Sequence, residues 1–171
     1  GIDTAEMVSM PSVVFSGERN TLAAVRAVSD AYPLRGELKS SGRLLDPPTV
    51  TDEVPGPGEV WAATSLLARL GVDAGADMEV GRARLKITRV LNFRPDEGWS
   101  FVDLAPTLLM NRADLEATAL IQPGSRVTYR QLFAGERAEL QAFKRDLEAQ
   151  LQRGERLRDI EDASPQIRSA M

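Results

Sequence analysis

Two short proline-and-glycine segments limit how this chain can fold. They are Tyr32-Pro33-Leu34-Arg35-Gly36 and Gln122-Pro123-Gly124, the second lying inside the run from Leu109 to Tyr129. Proline fixes its own φ and holds the preceding residue extended, while glycine admits the positive φ that closes a turn. No helix or strand is expected to run through either segment. Each reads as a connector between ordered elements.

Between these breaks the hydrophobic period assigns the elements. Thr4–Phe15 and Thr21–Val28, around Ser16-Gly17-Glu18-Arg19-Asn20, form a β-hairpin, with Pro11 marking an edge position or a bulge. The Pro- and Gly-rich stretch Ser40–Glu59 reads as an exposed loop. Val60-Trp61-Ala62 is a short strand, followed by a helix capped by Thr64 or Ser65 and stopped at Gly71. Asp77–Val80 and Arg84–Leu91 form a second hairpin turning at Gly81, with a phase slip at Val90-Leu91 that implies a bulge. Leu104–Met110 is an apolar strand, and Asn111 caps the turn Arg112–Glu116. Arg126–Phe133 alternates, with Val127, Tyr129 and Phe133 on one face. Glu136–Arg153 is the clearest helix: Leu140, Phe143, Leu147 and Leu151 make one stripe, with Gly154 at the C-cap. Leu157–Ile160 reads as a last short strand, and Ser164-Pro165 as the opening of another helix.

Composition narrows the chemistry. The 171 residues include no histidine and no cysteine. Imidazole-based and thiolate nucleophilic catalysis are therefore excluded, as are disulfides and the usual zinc sites. The net charge of −4 gives no general attraction to nucleic acid or anionic lipid. No apolar run reaches the roughly 20 residues that span a bilayer.

The candidate sites are few. Asp159, Glu161 and Asp162 cluster without EF-hand spacing and read as a solvated connector rather than a metal site. Asp96 and Glu97 are turn neighbours that point apart. Gly56-Pro57-Gly58 lacks the pattern of a phosphate loop, and its prolines remove amide donors, so no cofactor is expected. Arg126 and Arg130 read as a solvated strand face. Trp61 reads as a core anchor. Trp99, beside Phe93 and Phe101, is the better candidate for an exposed apolar contact with a partner or ligand.

Five pieces in order resemble one family: MVSMPSVVFSGERNTLAAVRAV, DAYPLRGEL, PGEVWAATSLLARLGVDAGADMEVG, LLMNRADLEATALIQPGSRVTYR and GERLRDIEDASPQIRSAM. Together they resemble the MacB-like periplasmic core domain of FtsX-like ABC transporter permeases, of the type related to YbbP. The resemblance implies a two-lobed α+β fold. Residues 1–30 with 125–171 would form a mixed αβ lobe, and 31–124 an inserted β-rich lobe. Tyr32, Pro33 and Gly36, with Pro123 and Gly124, would be the lobe crossings.

The resemblance further implies a non-enzymatic domain outside the cytoplasm, on the periplasmic or extracellular face of the membrane. Its partners would be the transmembrane helices of the same permease, a separate ABC ATPase subunit, and a lipase, esterase or other envelope protein. The helix opening at Ser164 would run on into a membrane span. The alternative is a module that binds a lipid or other hydrophobic ligand.

Overall fold

The computed structural model describes residues 1–95 and 105–157. In chain order the elements are β1 (Asp3–Ser16), β2 (Arg19–Val28), β3 (Leu38–Ser41), β4 (Thr49–Thr51) and β5 (Glu59–Ala63), then α1 (Thr64–Leu70), β6 (Asp77–Val80), β7 (Ala83–Phe93) and β8 (Thr107–Asn111). A 3₁₀ turn at Arg112–Asp114 leads into α2 (Leu115–Thr118), β9 (Thr128–Ala134) and α3 (Arg137–Glu148). The fold is strand-rich α+β with few helices. Contacts divide it into two compact units, Thr4–Phe133 and a second made of Gly1–Asp3 with the described residues from Ala134 onward.

In the larger unit the strand pairing closes on itself. β1 pairs β2, β2 pairs β8, β8 pairs β5, β5 pairs β7, β7 pairs β6, and β6 returns to β1 at Val14–Val80 and Phe15–Glu79. A closed ring of strands leaves none of its members with a bare edge. β3 and β4 branch from β7, and β9 pairs β1.

All six ring strands contribute to one core. It contains Val8, Met10 and Val14 of β1, Val25 of β2, Val60 of β5, Met78 of β6, Ile87 of β7, and Leu108 and Met110 of β8. α1 adds Leu66, Leu67 and Leu70. Other residues of β1, β2, β5, β7 and β8 (Ala5, Met7, Val28, Trp61, Leu91 and Leu109) feed a second core, completed by Tyr32 and by Leu38 of β3. Successive strand residues point to opposite faces, so β8 is buried on both, and this is why it reads as an unbroken apolar run.

Several local expectations need correction. Pro11 causes no bulge: it faces Ala24 in an unbroken register from Met7–Val28 to Ser16–Arg19. The expected loop 40–59 holds the end of β3 and all of β4, and Ser40, Ser41 and Pro55 are buried. α1 has Ala63 at its N-cap with no side-chain cap bond, although Gly71 does close it, with φ +68°. The phase slip in β7 comes from irregularities on either side of Val90-Leu91. Thr88 is skipped in the pairing with β5, and Asn92 in the pairing with β3.

Further on, of the residues read as one face of the 126–133 strand, Val127 and Phe133 are half-buried and Tyr129 is exposed. α3 ends at Glu148 with Ala149 as its C-cap, so Gly154 and Leu151 lie beyond it. Parallel pairing of β2 with β8 sets residues 24–28 beside 107–111.

The smaller unit is described by α3. Its Leu140, Phe143 and Leu147 are half-buried, and the N-terminal ammonium of Gly1 lies 3.3 Å from Glu139.

Candidate functional site

Among the residues singled out from sequence, Phe93 stands at the end of β7, where the β3–β4 branch joins. Lys39 of β3 pairs with Phe93 on one side and with Val50 of β4 on the other. Directly paired strand residues share a face. Val50, Lys39 and Phe93 therefore form a row across three strands, and all three are exposed, Val50 by 55% and Phe93 by 43%. The Lys39 ammonium lies 6.0 Å from the centre of the Phe93 ring, at the reach of a cation–π contact.

The opposite face of the corner is buried. Leu38 and Leu91 enter the second core, and the Arg89 Nε donates to Ser40 Oγ at 2.8 Å. The row thus sits on a packed support. An apolar–cation–apolar row of this kind can hold an apolar surface carrying an acidic group. Trp99 and Phe101 lie outside the described residues, as do Asp96, Glu97, Asp159, Glu161 and Asp162.

The two connectors differ sharply. Tyr32 is 2% exposed, packed in the second core with Trp61 and Leu109, and its peptide bond to Pro33 is cis. Gly36, at φ +78°, lies so close to Pro95 that a methyl group at Gly36 would run into the proline ring. Gln122–Ser125 is instead an exposed turn, closed by Ser125 N–H donating to the Gln122 carbonyl at 3.0 Å. Gly124 has φ +87° and open space around it.

Asn111 caps as expected, its Oδ1 accepting from Ala113 N–H at 2.9 Å. Sequence gave no sign of its other bonds. Its Nδ2 donates to Asp30 Oδ1 at 3.1 Å and to the Pro55 carbonyl at 2.9 Å, joining three distant segments. The amides of the Gly56-Pro57-Gly58 stretch are engaged internally. Gly56 N–H donates to Glu59 at 3.0 Å, and Gly58 N–H to Asp114 at 2.7 Å. Trp61 is a core residue, 2% exposed.

Asp73 was also missed. Its Oδ1 accepts from Leu44 N–H at 2.9 Å and from Ala74 N–H at 2.6 Å. These two bonds, with help from Arg43, hold its carboxyl below the ordinary carboxylate range. No group of three or more potential metal ligands occurs among the described residues. No described helix is long and apolar enough to cross a membrane.

The sequence leads to one class, the membrane permeases, and the likeness to a solved structure shows a shared fold. The chain superimposes on a crystallised domain of a presumed permease of Porphyromonas gingivalis with a TM-score of 0.51 and 14% identity, over 91% of this chain and 73% of that one. Within that class, it is 34% identical over 161 residues to the uncharacterised ABC transporter permease YbbP of Escherichia coli K12. The match takes in 94% of this chain and 19% of YbbP, so the chain corresponds to one domain-sized stretch of an ABC transporter permease of the YbbP type. No family profile matches the chain.

Proposed function

We propose that the chain is a non-enzymatic extracytoplasmic domain, on the periplasmic or extracellular face. It passes movement of transmembrane helices in the same permease to a substrate or envelope partner. The observation that carries this reading is the 34% identity to YbbP along 94% of the chain. ATP hydrolysis belongs in this reading to a separate ABC ATPase subunit, and a lipase or esterase is among the envelope proteins that fit the partner role.

Phe93, with Trp99 and Phe101, supplies the contact. Tyr32, Pro33 and Gly36 form one junction through which movement passes, and Pro123 and Gly124 form the other. The burial of Tyr32 supports this, because a rooted, stiff connector passes on displacement better than a flexible one. A second reading, a module that holds a lipid or other hydrophobic ligand, draws on the same exposed Phe93 and Val50.

The test inserts Gly-Ser between Pro123 and Gly124 in the complete permease with its ATPase. The site is exposed and open, so the fold should tolerate the insertion. Transport and its stimulation of ATP hydrolysis should fall while expression holds. Unchanged coupling would count heavily against the proposal.

A further inference from the structure

The turn between β3 and β4 carries a residue for which the fold has no evident use. Asp46 N–H donates to the Arg43 carbonyl at 3.3 Å, which makes Leu45 the third residue of a four-residue turn, and its φ is +71°. That position and that φ favour glycine or asparagine, because the Cβ of any other residue crowds its own backbone. The side chain gains nothing in return, since Leu45 is 103% exposed. Scattered exposed leucines are ordinary on a protein surface. One held in a left-handed conformation is not, and such an outlier points toward use.

The turn is also held in place. Leu44 N–H donates to Asp73 Oδ1 at 2.9 Å, and Ser41 Oγ donates to the Arg43 carbonyl at 3.0 Å. Leu44 is partly buried against the main core. One leucine is thus drawn inward, and the next is pushed out to the tip.

We propose that Leu45 anchors a protein–protein contact, entering an apolar pocket on a partner whose rim is basic. The charge on this connection supports that occupant. Along this hairpin and its exit, residues 39–53, the exposed acids Asp46, Asp52 and Glu53 outnumber the exposed bases Lys39 and Arg43. An excess of acid repels an anionic bilayer, and one leucine falls well short of a membrane anchor. A pocket that takes the whole side chain gains enough for Leu45 to set the affinity. The inference goes beyond the coupling role and is tested separately, since it needs only that a partner meets this turn.

The experiment places the photoreactive residue p-benzoylphenylalanine at position 45 of the complete permease in cells. A control carries it at Ile121, another exposed apolar position, 41% exposed. The cross-linked protein is identified, purified, and titrated against the wild type, Leu45→Gly and Leu45→Asp. The expected result is an adduct with a different protein from position 45 only, and a loss of affinity of about tenfold or more for both variants.

Leu45→Gly should melt at the wild-type temperature or above, since glycine adopts this φ freely. The proposal is overturned by no adduct at 45, by equal adducts from both positions, or by adducts only with lipid or a second permease copy. Wild-type affinity in Leu45→Gly, or a lower melting temperature, would overturn it equally.

Discussion

The two proline connectors look alike in sequence but behave differently in the structure. Tyr32–Gly36 is rooted: its aromatic ring lies in a core, and its glycine presses on Pro95. Gln122–Gly124 is an exposed turn with no neighbour within reach of Gly124. Proline and glycine therefore report where the chain turns but not whether the turn is anchored. What differs is the residue before the proline: a tyrosine buried in a core anchors the first connector, and the second has an exposed glutamine there.

The comparison can be broken or sharpened by substitution. Tyr32→Ala should cost about 3–5 kcal/mol in urea unfolding, the usual loss for a large aromatic in a core. A value near zero would erase the distinction. Gly36→Ala should cost about 2 kcal/mol or more, because a left-handed φ and the Pro95 ring both oppose the new methyl.

Gly124→Ala meets the φ penalty alone and should cost about 1 kcal/mol. The difference between the two glycine variants isolates the contact from the backbone strain. Pro123→Ala should stay within about 0.5 kcal/mol of the wild type.

Asp73 offers the smallest effect, as an anchored turn of a different kind. Its carboxyl is lowered in the folded chain, so its contribution is present above the ordinary carboxylate pKa and is lost as pH falls through the lowered value. The amide resonance of Leu44 should shift in that acid window in the wild type. In Asp73→Asn that step should be absent.

Much of the strand content was legible because local pattern set it. Gly17 and Gly81 mark hairpins whose strands alternate, and Asn111 before a helical turn is a cap by its chemistry. β3 and β4 were hidden by the prolines around them, which outweigh the few residues that pair. The closed ring was not legible, because its parallel pairs join residues that share no local signal. Of the candidate contact, Phe93 was found from its aromatic neighbours. Lys39 and Val50 became visible only through the register that sets them beside it. Leu45 left no trace either, since nothing in its neighbours announces a positive φ.

The pairing of β2 with β8 also has a consequence in time. Asn111 reaches Asp30 across 81 residues, and the ring cannot close before that stretch has been made. At about 5–20 residues per second on the ribosome, the first hairpin waits roughly several seconds for its neighbour. During that interval Val25, Ala27 and Val28 have no permanent cover, and the unpaired side of β2 is open to a wrong partner. The earliest strands of this fold are thus completed by a late one, and the open side of β2 stays exposed until it is made.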